Sequence, residues 1–132
     1  MSKSVYLAAP YSTKPQIEQY AADLRAAGIT VTSSWLEEPH DPKTHMSELP
    51  PVTHRLYACR DVSDIEDAEV FVLFTDSTQS IVRQGRTFEF GFAYAQRKQC
   101  VIVGLEHENI FHYLPGLLRF DTWEKAKKWL LK

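Results

Sequence analysis

A chain of 132 residues, 44% hydrophobic and 24% charged, is long enough to fold as one domain that buries roughly two thirds of its unfolded surface without disulfide or metal staples. A formal charge of -2 supplies no general attraction to nucleic acid, and no apolar stretch approaches membrane-spanning length. The opening segment MSKSVYLAAPYS holds too short an apolar run for a secretory leader, so the expectation is a cytoplasmic, single-domain protein over residues 1–132 with neither a nucleic-acid polymer nor a membrane as partner.

Residues 4–9 form an apolar run that reads as a first strand, and Pro10-Tyr11-Ser12-Thr13-Lys14-Pro15 combines turn and helix-start signals. Ile17, Tyr20, Ala21, Leu24 and Ala27 then recur at steps of three and four, with Gly28 as a C-terminal stop, and residues 29–32 read as a second strand. Ser12 and Thr13 have two readings. They are caps for the helix, or hydroxyls that hold a phosphate or sugar at a strand end. Residues 35–51 carry Pro39, Pro42, Pro50 and Pro51, a composition that favours a long loop of the kind used as a lid. His40 and His45 in that loop match no zinc spacing, and no metal site is expected. Residues 52–68 resume a helical period. His54, Ala58, Asp61 and Ile65 share one face, so Asp61 points inward, while Leu56, Cys59 and Val62 share another. Cys59 and Cys100 read as buried thiols rather than a disulfide, and Asp64, Glu66 and Asp67 as a solvated acidic face.

Val70–Phe74 is wholly apolar, as expected of a strand buried on both faces, and Gly85-Arg86-Thr87 opens a helix after it. Asp76 therefore sits at a strand's carboxyl end and Glu89 about one turn into the next helix, the region where open α/β sheets bind ligands. Gly91 in that helix costs about 1 kcal/mol relative to alanine and calls for a packing or ligand reason. Glu89 beside it is either a chemical group or a surface glutamate favoured by the helix dipole, which should also keep it ionised. Residues 99–104 supply another buried strand, followed by the polar Glu106-His107-Glu108-Asn109 and the aromatic Phe111-His112-Tyr113. Leu117, Leu118 and Phe120 suit an edge strand, and Asp121-Thr122-Trp123-Glu124 resembles a capping box for a last helix whose lysines lie toward its negative end. Alternating strands and helices predict a small doubly wound α/β domain, flavodoxin- or Rossmann-like, with a mostly parallel sheet and helices on both faces. GxGxxG and GxxxxGK[ST] are both missing from the sequence, and no cofactor is called for.

Taken together, Tyr6-Leu7-Ala8-Ala9-Pro10-Tyr11, Arg60-Asp61-Val62-Ser63-Asp64-Ile65, the Asp76 strand end and Gly85-Arg86-Thr87-Phe88-Glu89-Phe90-Gly91 resemble the nucleoside 2-deoxyribosyltransferase-like family, which includes deoxyribosyltransferases and related nucleotide N-glycosidases. The resemblance runs through most of the chain in the same order, and GxxxExG after an Asp-ended strand is its most specific part. It implies that Glu89 is the nucleophile, Asp61 a carboxylate near the base and Tyr6 the aromatic residue that positions the nucleophile. It also implies that Asn109 and Phe111 reach the site of a neighbouring subunit in a homo-oligomer. Ala9, Pro10 and Gly85 join the candidate substrate-binding set. Such an enzyme breaks an N-glycosidic bond through oxocarbenium character at the anomeric carbon, which a carboxylate can stabilise and then bond to. Transfer to another base and transfer to water both follow from that intermediate, with Asp61 or Asp76 assisting the departing base. Relatives commonly carry an acidic residue just before GxxxE, where this chain has Arg83-Gln84-Gly85. A cation there suits a 5′-phosphate, with Arg86, Ser12 and Thr13 as further contacts. A non-catalytic nucleotide sensor or sequestering protein on the same fold is the competing expectation.

Overall fold

The computed structural model describes residues 3–38, 48–75, 84–105 and 109–132, apart from the Gln84 side chain. Among them, the short apolar runs become the strands β1 (Ser4–Ala8), β2 (Thr30–Val31), β3 (Val70–Phe74), β4 (Gln99–Val103) and β5 (Leu118–Phe120). They form one sheet in the order β2-β1-β3-β4-β5, parallel throughout. Parallel neighbours require crossovers, and these are the helices α1 (Lys14–Ala26), α2 (Pro51–Asp67), α3 (Gln84–Ala95) and α4 (Trp123–Leu130). This is the doubly wound α/β fold expected from the sequence.

Strand register decides which side chains meet. Leu7, Val72 and Val101 stand side by side and are fully buried. The α1–α4 layer holds together through Tyr20, stacked on Trp123 at 4.6 Å, and Phe74, 5.6 Å from Trp123. On the other face Tyr6 pairs in register with Phe71, stacks on it at 5.6 Å, and Phe71 meets Phe90 of α3 at 6.4 Å. α2 packs beside α3 on that face. Among the described residues no helix is long and apolar enough to cross a membrane.

β2 is shorter than the expected 29–32, and the consequence falls on β1. Leu7 lies past the β1–β2 pairing, so its peptide groups need other partners. Ser33 Oγ accepts from the Leu7 N–H at 2.7 Å, and Trp35 Nε1 donates to the Leu7 carbonyl at 2.8 Å. Both side chains are buried, and they fix the turn Ser34–Glu37 over the end of β1.

Two local expectations change. Neither Ser12 nor Thr13 caps α1 through its side chain: Ser12 is exposed, and Thr13 Oγ1 donates to the Pro10 carbonyl at 2.7 Å. Pro15 lies in the first turn and has no N–H for a cap to accept. Cys59 is exposed rather than buried because α2 buries only Ile65 fully, whereas Cys100 is buried and its thiol is pushed up to about 11 by desolvation; both cysteines are free. Thr122 does cap α4, accepting from Lys125 N at 3.3 Å.

Candidate active site

The strand order reverses direction at β1 and β3: β1 leads to α1 on one face and β3 to α3 on the other, which opens a crevice beyond their carboxyl ends. Tyr6 projects from β1, Asp61 from α2 and Glu89 from α3, where it is the sixth residue. They share a cleft of about 150 Å³ with Ala8, Ala9, Tyr11, Trp35, Glu38 and Tyr57. Tyr6 Oη donates to Glu89 Oε2 at 2.6 Å, a short charge-assisted geometry.

Burial governs the electrostatics here. It pushes the Glu89 carboxyl up to about 7 and the nearby Asp61 carboxylate adds to that rise, while the Tyr6 hydrogen bond and Arg86 pull the other way. The expected dipole benefit of an early helical position is outweighed, because removing a carboxylate from water costs more than one helix end returns. Desolvation and then the Glu89 charge raise the Tyr6 phenol, so Tyr6 remains the proton donor in the pair. Asp61 is raised by burial as well, opposed by Arg60 at 3.4 Å.

Several cleft residues were not singled out from sequence. Trp35 and Tyr11 form a tilted aromatic pair with centroids 5.9 Å apart. Tyr57 stands one turn before Asp61 on α2 and carries the Arg60 guanidinium 4.9 Å from its ring centre. Arg60 in turn is ion-paired with Glu38. The spacing Tyr57-Asp61-Asp64 along α2 was a readable signal, since steps of four and three place all of them on one helical side. Asp64 is used there structurally: its Oδ2 accepts from Ser34 N at 2.9 Å.

The remaining candidates are dispersed. Ala9 lines the cleft; Pro10, Ser12 and Thr13 do not. Arg86 Nη1 donates to the Phe74 carbonyl at 2.9 Å, tying α3 to the end of β3. Asn109 and Phe111 lie with Arg86, Leu73, Phe90 and Gly91 around a separate, more apolar hollow of about 230 Å³ on the other side of α3. Asn109 Oδ1 accepts from Phe111 N at 2.8 Å and caps the turn Ile110–Tyr113, whose Ile110, Phe111 and Tyr113 are exposed. Among the described residues a Cβ on Gly91 would meet nothing within 4 Å, so their packing does not explain this glycine, and the same holds for Gly85. Asp76, Arg83, His40, His45 and residues 106–108 lie outside the described residues. Among the described residues no three metal-ligating side chains converge.

Comparison with known proteins bears on the fold and the family. No curated protein sequence matches the chain. Among solved structures, a CMP N-glycosidase from Clostridium botulinum superimposes with a TM-score of 0.63 at 21% identity, over 97% of this chain and 95% of that one. A 2-deoxyribosyltransferase from Bacillus psychrosaccharolyticus gives 0.67 at 18% identity, over 94% and 90%. A further 2-deoxyribosyltransferase, from Leishmania mexicana, gives 0.58 at 21%, over 98% and 97%. At these identities the likeness establishes the fold. The sequence model described as Nucleoside 2-deoxyribosyltransferase matches residues 5–126, nearly the whole chain, and the protein belongs to that enzyme family.

Proposed function

We propose that the protein cleaves the N-glycosidic bond of a (deoxy)nucleoside or its 5′-monophosphate, with Glu89 attacking the anomeric carbon and a second base or water then accepting the sugar. The observation that carries this reading is the 2.6 Å bond from Tyr6 to Glu89 inside a cleft that also holds Asp61. Tyr6 fixes one carboxylate oxygen and leaves the other to face a sugar. As the glycosidic bond lengthens, positive charge grows on the sugar, and Glu89 stabilises it before forming the glycosyl ester. Asp61, whose carboxyl is raised, donates a proton to the departing base, and the electrons of the broken bond leave with that base.

A cleft on so small a domain is open, and the exposed Ile110, Phe111 and Tyr113 beside Asn109 support a homo-oligomer in which this segment completes an adjoining site. Arg86, which lowers the Glu89 carboxyl electrostatically, supports a 5′-phosphate near the start of α3. The test is incubation with a panel of nucleosides and 5′-monophosphates, with and without a second base, followed by chromatography. Free base with sugar or sugar phosphate marks hydrolysis, and a new nucleoside marks transfer. No base release from any member of the panel would remove the proposal.

A further inference from the structure

We infer that Glu38 makes the cleft selective for nucleobases that carry an exocyclic amino group beside a ring nitrogen, such as aminopyrimidines and 6-aminopurines. This rests on the reading of the cleft as a nucleoside or nucleotide site and names the class of base it accepts.

Glu38 is the residue that closes the turn Ser34–Glu37, and it is held through both its backbone groups and its carboxylate. Its N–H donates to the Trp35 carbonyl at 3.3 Å, its own carbonyl accepts from Lys14 Nζ, and its carboxylate is ion-paired with Arg60. The side chain is only 11% exposed and lies on the cleft wall with Tyr57 and Asp61. Arg60 is not part of the cleft lining; it lies over the Tyr57 ring and pairs with Asp61 as well as with Glu38. Glu38 lines the cleft where Arg60 does not, so its carboxylate is the member of that ion pair that a ligand meets.

Among the described residues of that wall, the aromatic side chains do not discriminate between bases. Tyr11, Trp35 and Tyr57 offer aromatic faces, and stacking tolerates any base because every base has a π-face. Selection therefore falls to the polar groups. An ionised carboxylate only accepts hydrogen bonds, and its two oxygens have capacity for about four, so one ion pair leaves room for a ligand donor. An exocyclic amine supplies that donor. A carbonyl at the same position would set its lone pairs against the carboxylate and leave both groups unpaired on desolvation. Asp61 lines the same cleft and, as the group that passes a proton to the departing base, can serve the neighbouring ring nitrogen, so the two side chains together match the N–C–NH2 edge of an amino base.

The experiment has two arms. Calorimetric titration compares binding of free cytosine with uracil and of adenine with hypoxanthine. Base release compares specificity constants for CMP with UMP and for AMP with IMP. Amino members should be favoured by at least about tenfold in both arms, and Glu38→Gln should bring the ratio near one or invert it, since the carboxamide can donate to a carbonyl. Base release without amino preference in the wild-type protein overturns this inference and leaves the proposed function standing. Amino-selective binding without any base release does the reverse. An unchanged ratio in a folded Glu38→Gln protein also overturns it, because a merely structural role lowers both members together.

Discussion

On one side of α3, Tyr6, Asp61 and Glu89 meet across a polar, aromatic-walled cleft; on the other, Leu73, Phe90, Gly91 and Phe111 surround an apolar hollow. Desolvation acts on both but in opposite senses. In the cleft it raises two carboxyls above their ordinary values, an arrangement that lowers stability and is therefore best explained by chemistry. Around the hollow the exposed surface is largely apolar: Phe111 is 52% exposed, and among the described residues nothing would meet a Cβ on Gly91 within 4 Å. That surface gains stability by being covered, whereas the cleft gains function by staying accessible. One helix thus separates the cleft proposed to be reactive from a hollow with exposed apolar side chains beside it.

The largest break in this comparison is Glu89→Gln. It keeps the shape of the side chain and the acceptor for Tyr6 while removing the nucleophile, so base release should fall by about a thousandfold or more with the fold intact. Near-normal turnover would discard the covalent mechanism. The next effect comes from the opposite side of α3. If Asn109 and Phe111 serve a neighbouring site, Asn109→Ala with Phe111→Ala should lower activity by roughly 10- to 100-fold. Mixing that double variant with Glu89→Gln should then restore measurable turnover, because one mixed site regains both contributions. A wild-type protein that sediments as an active monomer would contradict the shared arrangement.

Tyr6→Phe tests the cleft alone. Removing a hydrogen bond that lowers the Glu89 carboxyl should shift the rise of rate with pH, expected near 7, to higher pH and cost about tenfold below it. An unshifted profile would separate Tyr6 from Glu89 ionisation. The smallest effect is on stability. Glu89 rises to about 7 in the folded protein from an ordinary 4.5, so the native state binds more protons between those values and its stability falls as pH rises through that window. Glu89→Gln lacks this penalty. It should be more stable than wild type by about 1 to 3 kcal/mol at pH 8, and equal to it below about pH 4.5, by denaturant titration.

The sheet was legible because parallel strands leave short continuous apolar runs, and Val70–Phe74, buried throughout, is the clearest of them. Tyr6 and Glu89 were legible as parts of a family pattern, and the structure brings them into contact. Glu38 and Trp35 were not. They belong to a turn placed by the brevity of β2 and by two side-chain bonds to Leu7, and no periodicity records such crossings. The Glu89 proton was misjudged for a related reason: helix position is visible in sequence, but the burial that overrides it depends on neighbours from β1 and α2. Gly91 stood out in the sequence, yet the packing of the described residues supplies no reason for it.

The central claim is that Glu89 bonds to the sugar. Acid quenching of the protein during turnover of a nucleotide whose sugar carries a 2-fluoro substituent, which slows breakdown of the glycosyl ester, followed by peptide mass analysis, tests it most directly. The account predicts one glycosyl mass on the peptide containing Glu89, lost in Glu89→Gln. Sugar attached to a different residue, or Glu89→Gln protein that releases base at the wild-type rate, would contradict it.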